Sequence, residues 1–260
     1  MKRAFFIAAA LFMLMTGAPA AGAGLSEENG ELFVQAARYY ERGDYGKAFS
    51  AYSAVLKKGF ESGPLYYNAG NCFLQEGESI GKAIFFYEMA RRLIPRDTAL
   101  RANLRYARSL MKQADTPSSE PFALFILRRA FGLFTIGEAF ALWNAAYFGC
   151  AAIFVLSLFM KRNKALLRVV SVLLLCFCVL MLIPLKSKMN REEMTGVVVA
   201  AIVDARLEPF EDAASKFPLY EGMEVDVLKT TRQWHKVKRP DGKVGWIPQG
   251  TLWRLAAPPW

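Results

Sequence analysis

The chain has 260 residues and a formal net charge of +10, a length that suits one large domain or two small ones with additional segments. A basic excess of this size is typical of proteins that bind nucleic acid or anionic lipid. Residues 122–185, however, carry six basic residues and one acidic residue, whereas residues 24–121 are nearly balanced. The excess therefore flanks apolar segments, and this distribution argues against nucleic-acid binding.

The N-terminal segment, residues 1–23, has the pattern of a secretory signal peptide. Lys2 and Arg3 precede an uncharged apolar run, and small residues follow at Ala18-Pro19-Ala20 and Ala21-Gly22-Ala23. This order of basic, apolar and small residues predicts export and cleavage after Ala20 or Ala23. An uncleaved membrane anchor is the alternative.

Residues 25–112 contain an internal repeat. Gly43 recurs as Gly77 after 34 residues, and Ala48 recurs as Ala83 after 35. This period and these residue types resemble tetratricopeptide (TPR) helix pairs. We therefore predict a TPR solenoid of two repeats and a capping helix over residues 25–112, in which Gly70 lets paired helices touch and Gly77 ends a helix.

Helix starts are predicted near Ser62 and at Asp97, since both residue types cap helix N-termini. In TPR proteins the inner helices line a groove that binds partners, and the repeat register assigns this groove to Phe33, Tyr40, Tyr67, Asn71 and Leu74. Ordinary packing of these side chains is the alternative. Two repeats are fewer than a stable array usually needs, so the domain is expected to lean on another part of the protein or on a partner.

A polar linker is predicted over residues 113–121, followed by an interfacial helix over residues 122–134. Residues 139–160 and 166–185 are long and apolar enough to be transmembrane helices. The loop 161–165 between them is basic, which predicts that it is cytoplasmic. Both flanking domains then lie on the other side of the bacterial inner membrane, in the periplasm.

Short β runs separated by turn residues fill the C-terminal part, over 196–206, 223–228, 234–238 and 243–248. Pro240-Asp241-Gly242 is a hairpin signal. The segments Glu221-Gly222 and Gly245-Trp246-Ile247-Pro248 resemble bacterial SH3 (SH3b) domains. The resemblance implies a small all-β SH3-like barrel over residues 195–254, and the aromatic residues Tyr220, Trp234 and Trp253 are its candidate binding surface.

No catalytic constellation is evident in the sequence. His235 is the single histidine, and it is expected on the surface of a strand without a nucleophile or co-ligand. Three of the four cysteines fall in the apolar runs, so Cys72 is isolated. No cofactor and no metal site is predicted, and a redox sensor built on Cys72 is a third hypothesis for function, after the two given below.

As a whole, the order of signal peptide, TPR pair, two spans and SH3b domain resembles the BatE family of the Bacteroides aerotolerance (Bat) operon. The resemblance implies a multidomain, non-enzymatic inner-membrane scaffold linked to stress or oxygen tolerance. Its implied partners are von Willebrand factor A (VWA)-domain Bat proteins and, indirectly, a MoxR-type AAA ATPase. The alternative is a tether that joins the membrane to peptidoglycan through the SH3b domain.

Overall fold

The computed structural model describes residues 27–111, 122–159 and 164–259. The expected signal peptide (1–23), the expected linker (113–121) and most of the expected cytoplasmic loop (161–165) lie outside the described residues.

The first described part is a stack of five helices, in which the first packs against the second and the third against the fourth. Their bounds are α1 Glu27–Glu41, α2 Tyr45–Lys57, α3 Gly63–Glu76, α4 Ile80–Leu93 and α5 Thr98–Ser109. Large aromatic and aliphatic side chains form one core through the stack, and Tyr52, Tyr66, Phe86 and Tyr87 are each at most 2% exposed.

The ends of these helices follow the capping residues expected from the sequence. The Ser62 side chain accepts a hydrogen bond from Leu65 N (3.3 Å), and Asp97 Oδ1 accepts one from Leu100 N (2.7 Å). Gly77 ends α3 with φ +73°, a conformation that favours glycine. The sequence predictions at these three positions are confirmed.

Gly70 marks the closest approach within the second helix pair. A Cβ atom at this position would lie 2.7 Å from ring carbons of Tyr87 and 3.3 Å from the carbonyl oxygen of Ala83. The absence of a side chain therefore lets α3 rest on α4, as the repeat pattern predicted.

Two long apolar helices follow the short helix α6 (Phe122–Phe131): α7 spans Ile136–Phe159 and α8 spans Lys164–Met194. The most apolar 18-residue windows have mean hydropathy values of 1.8 and 2.9, and few of their residues are buried within the protein. A helix of 24 residues is about 36 Å long, more than the roughly 30 Å of a bilayer core. Both helices are thus compatible with membrane spans.

The N-terminus of α7 carries a capping box, which the S/T-x-x-E spacing of Thr135 and Glu138 in the sequence predicts. Thr135 N donates to Glu138 Oε2 (2.9 Å), and Glu138 N donates to Thr135 Oγ1 (3.1 Å). These reciprocal bonds satisfy two backbone donors that would otherwise be unpaired at the start of the helix.

The contact between α7 and α8 differs from the sequence prediction. Small residues recur every four positions in the first apolar segment, at Ala141, Ala145 and Gly149, a spacing that predicts close contact with the second span. These three residues are exposed, and α7 instead contacts α8 through Trp143, whose Nε1 donates to the Cys178 carbonyl oxygen (3.0 Å), and through buried Cys150. Small residues let another helix approach closely, but they do not determine which helix packs against them.

The C-terminal part is one antiparallel sheet with the strand order β3-β2-β6-β5-β4-β1-β7. Its strands are β1 Thr195–Val198, β2 Ile202–Arg206, β3 Ser215–Tyr220, β4 Glu224–Thr230, β5 Trp234–Lys238, β6 Val244–Pro248 and β7 Leu252–Arg254. The expected long run 196–206 is two strands, and the sequence did not predict β3 or β7.

Helix α8 runs directly into this sheet. It ends at Met194, and β1 begins at Thr195, whose side-chain hydroxyl donates to the Arg191 carbonyl oxygen (2.7 Å). No loop separates the second apolar helix from the sheet, so the helix itself sets the position of the C-terminal domain.

Candidate functional site

The candidate groove residues lie on the first helix of each pair. Phe33 and Tyr40 are on α1, whereas Tyr67, Asn71 and Leu74 are on α3, and all five are partly buried. Burial, together with the neighbouring Tyr45, Cys72 and Tyr67, raises the pKa of Tyr40 above its ordinary value. Tyr40 on α1 therefore lies near Tyr67 on α3. We refer to the five candidate residues together as the groove surface.

A hydrogen-bond network fixes the centre of this surface. Asn103 Nδ2 on α5 donates to Tyr67 Oη and to Asn71 Oδ1, both at 3.0 Å. The Tyr87 hydroxyl on α4 donates to the same Asn71 oxygen at 2.7 Å. Because Asn71 Oδ1 already accepts two bonds, recognition of a ligand by Asn71 would fall to its amide donors.

Sequence reasoning missed Asn103 as a member of this surface. The repeat pattern assigned groove residues in the first two helix pairs and none in α5. In this arginine-rich helix, the Asn103 amide faces the rest of the stack. An uncharged polar residue on the apolar face of α5 was the available signal.

The two apolar candidate groove residues, Phe33 and Leu74, pack against buried residues of the helical core. The Phe33 ring meets the buried Tyr52 ring edge-on, with centroids 5.4 Å apart, and Leu74 packs against the helical core. Phe33 and Leu74 are each partly exposed, so the structure is compatible with both interpretations, packing within the stack and contact with a partner.

Cys72 is not placed for thiol chemistry. Its side chain is fully buried in the helical core, and burial, reinforced by Glu76, raises its pKa to about 12. A thiol reacts as its thiolate, which this environment disfavours. The redox-sensor hypothesis loses its physical basis.

The three aromatic residues proposed for the SH3b surface do not share one exposed face. Trp234 is buried, with 7% of its surface exposed, so its expected surface position is corrected. Trp253 is covered by the helical stack, because its ring meets Phe85 and Phe86 edge-on at 5.3 and 6.2 Å. Tyr220 packs partly against the core of the sheet.

His235 was expected at a strand surface, and this expectation is also corrected. The residue is 2% exposed, and its Nδ1 lies 3.0 Å from Thr230 Oγ1. Burial and the nearby Arg254 charge lower the pKa of His235, so the imidazole is held neutral.

The helical stack and the sheet meet at the N-terminus of α4. Glu221 Oε1, in the turn after β3, accepts hydrogen bonds from the Ser79 hydroxyl (2.7 Å) and from Gly81 N (3.0 Å). A Cβ atom at Gly81 would lie 2.5 Å from the carbonyl oxygen of Val198. Glycine at position 81 is thus required for the two domains to approach each other.

A second contact between the domains is ionic. Arg108 on α5 pairs with Glu88 on α4, where the atoms are 2.8 Å apart, and also with Glu224 at the start of β4. Burial raises the pKa of Glu88, whereas for Glu224 the Arg108 and Arg91 charges outweigh burial and hold the pKa low. Arg108 therefore bridges two carboxylates that belong to different domains.

Comparison with known proteins identifies the C-terminal domain. Residues 199–254 match the bacterial SH3 domain family, which agrees with the sheet and with the resemblance read from the sequence. A search of curated proteins found no significant match. The protein therefore combines a mostly helical N-terminal region, two apolar helices and a bacterial SH3 domain, a module that binds proteins or peptidoglycan.

Proposed function

We propose that this protein is a non-enzymatic scaffold of the bacterial inner membrane, with TPR-type helix pairs and an SH3b domain that bind partner proteins in the periplasm. The observation that carries the proposal is the direct packing of the helical stack on the SH3b domain, beside two apolar helices. This packing supplies the support that two helix pairs alone lack.

The groove remains accessible in this arrangement. The SH3b domain covers α4 through Ser79, Gly81 and Phe85, whereas the groove residues lie on α1 and α3 and keep part of their surface exposed. Tyrosine hydroxyls and asparagine amides can hydrogen-bond the backbone of an extended peptide, while Phe33 and Leu74 can bury its apolar side chains.

A non-enzymatic role is supported by the state of the reactive groups. Cys72 and His235 are buried in different domains, and neither the thiol nor the imidazole is exposed on the protein surface.

The proposed setting is a Bat-type envelope complex linked to stress or oxygen tolerance. VWA-domain Bat proteins are the direct partners in this proposal. A MoxR-type AAA ATPase would be reached through other membrane subunits, because the cytoplasmic part of this protein is one short loop, residues 161–165.

Crosslinking in intact cells followed by purification of the full chain tests the proposal. We expect recovery of a VWA-domain protein, and we expect Tyr40→Ala combined with Leu74→Ala to reduce it. The matched control is Tyr106→Ala with Leu110→Ala, which removes two exposed side chains outside the predicted groove set. Recovery of no VWA-domain protein, or equal recovery with the groove variant, would contradict the scaffold role.

The alternative function is a peptidoglycan tether through the SH3b domain, favoured by the family match over residues 199–254. Only nine residues, 186–194, separate the predicted end of the second span from β1, and they are helical. They place the domain about 14 Å from the membrane and leave it no flexible extension. Sedimentation of the detergent-solubilised full chain with purified sacculi would support the tether, and absence of sedimentation would favour the scaffold.

A further inference from the structure

An ion pair joins the helical stack, at the connection between α4 and α5, to the N-terminus of the first apolar helix. Arg96, between α4 and α5, pairs with Glu138 in the first turn of α7. Since α7 is compatible with a membrane span, the start of α5 lies at the border of the bilayer. This inference therefore depends on the membrane assignment of α7 and not on the identity of any protein partner.

Exposed arginines extend from this connection along α5. Arg101 donates to the carbonyl oxygens of Arg96 (2.9 Å) and Asp97 (3.2 Å), and Arg105 donates to that of Arg101 (3.3 Å). All of these acceptors are neutral backbone groups, and among the described residues no carboxylate forms an ion pair with Arg101 or Arg105. We call Arg96, Arg101 and Arg105 the basic corner.

The neighbouring carboxylates already have partners, since Asp97 caps α5 by accepting a hydrogen bond from Leu100 N (2.7 Å) and the others pair with cations. Glu138 pairs with Arg96, Glu192 pairs with Arg92 at 2.9 Å, and Glu88 pairs with Arg91 and Arg108. Lys186, which follows the second predicted span, is exposed. The surface beside the membrane border therefore carries a net positive charge.

Exposed apolar and aromatic side chains accompany these charges. Leu93, close in sequence to Arg96, is 43% exposed, and Tyr106, next to Arg105, is 57% exposed. A mixture of arginine, tyrosine and leucine is typical of surfaces that lie among lipid headgroups.

We propose that the basic corner binds the headgroups of anionic phospholipids in the adjoining leaflet. Guanidinium groups bind phosphate through two parallel hydrogen bonds, which an arginine with only backbone carbonyl partners can form. Arg105 lies about 11 Å along α5 from its first residue, somewhat more than the Debye length of about 8 Å at physiological salt, so its attraction to the leaflet is weaker than that of Arg101. The helical stack is then held to the membrane by lipid contacts as well as by the Arg96–Glu138 pair.

The full chain in nanodiscs containing equal phosphatidylglycerol and phosphatidylcholine tests this proposal, with native mass spectrometry counting the lipids retained on the protein. We expect retained lipids to be enriched in phosphatidylglycerol. Arg101→Gln with Arg105→Gln should lower the enrichment by about fivefold to about 25-fold, since each cation near an anionic surface contributes up to about a factor of five.

Two further variants separate the site from general effects. Arg42→Gln with Lys57→Gln removes the same charge from exposed positions of the first helix pair and should keep the enrichment. Arg101→Lys with Arg105→Lys keeps the positive charge and should keep most of the phosphatidylglycerol enrichment. Retained enrichment in this variant shows that the helical stack folds when both arginines are replaced. Unchanged phosphatidylglycerol enrichment in the glutamine variant overturns the proposal. If crosslinking in cells then shows that this variant has lost acidic proteins bound by the original chain, the basic corner binds a protein partner instead.

Discussion

Two glycines in helices differ in what a methyl group would meet, and this difference gives a stability prediction. At Gly70, a Cβ would lie 2.7 Å from the fully buried Tyr87 ring, whereas at Gly30 in α1 nothing lies within 4 Å. We expect Gly70→Ala to lower the free energy of unfolding by about 1–3 kcal/mol, because the ring has no space to move. Chemical denaturation of the full chain in detergent measures the change.

Gly30→Ala is the control for this prediction. The substitution has the same chemistry, and alanine favours a helix over glycine by about 1 kcal/mol, so stability should be unchanged or slightly higher. A Gly70 variant as stable as the Gly30 variant would contradict the close contact between α3 and α4.

His235 predicts a pH dependence of the SH3b domain. Burial and Arg254 lower its folded-state pKa, while the unfolded value is about 6.5. As pH falls through about 6.5, the unfolded chain gains a proton that the folded state binds weakly, so stability is lost on acidification. Urea unfolding of the full chain between pH 5 and 8, followed by tryptophan fluorescence, should show this loss.

His235→Gln is expected to remove that component, because the chain contains one histidine. Glu88 acts in the opposite direction: its raised pKa means that stability falls as pH rises above the ordinary value of a glutamate. The measurement that isolates His235 is therefore the difference in free energy of unfolding between the variant and the original protein at each pH. An equal loss below pH 6.5 in both would exclude His235 as the titrating group.

At the residue scale, local chemistry was predictable and burial within strands was less so. Ser62, Asp97 and Gly77 were predicted because a cap or a left-handed turn depends on residues within a few positions. Trp234 and His235 are adjacent in β5 and are both buried, which breaks the alternation expected of a strand. Both faces of the sheet are covered at this end of β5, and the sequence of one strand does not predict which other elements will cover it.

At the scale of elements, the contact between α4 and the turn after β3 predicts energetic coupling between the two domains. Ser79→Ala and Glu221→Ala each remove one partner of a 2.7 Å hydrogen bond, and Glu221 also binds Gly81 N. We expect each variant to destabilise the docked state by about 1–3 kcal/mol and the double variant to cost less than the sum. Denaturation of all four proteins gives the coupling energy.

Glu211→Ala provides the matched control, since this glutamate is exposed in the loop between β2 and β3. It should have little effect alone and should be additive with Ser79→Ala. Strict additivity of Ser79→Ala with Glu221→Ala would show that the two side chains do not interact in solution.

The sequence predicted most elements but not how they meet. Helix periodicity and the hairpin signal at Asp241-Gly242 are local, so the helices and the β4–β6 region were foreseen. Glu221 and Gly81 are 140 residues apart, and no repeat or motif relates them. Trp253 was for the same reason assigned to a binding surface, although its ring packs against Phe85.

At the scale of the whole molecule, rigid connections define how the domains are arranged. Helix α8 enters β1 without a loop, Arg92 binds Glu192 and the Leu255 carbonyl oxygen at 2.9 Å each, and Arg96 pairs with Glu138. The helical stack is thus fastened both to the SH3b domain and to the apolar helices. Such an arrangement favours presenting surfaces in a fixed geometry, as a scaffold requires, over reaching for a distant ligand.

The membrane topology follows from the distribution of charge. Four basic residues, Lys161, Arg162, Lys164 and Arg168, lie in or beside the short connection between the apolar helices, and such loops remain cytoplasmic. In a variant without its native cysteines, Asn163→Cys should react with a membrane-impermeant maleimide only after the membrane is opened. Ser118→Cys should react in intact spheroplasts. The reverse pattern would place the helical stack and the SH3b domain in the cytoplasm, where a AAA ATPase could bind them directly and no contact with peptidoglycan could occur.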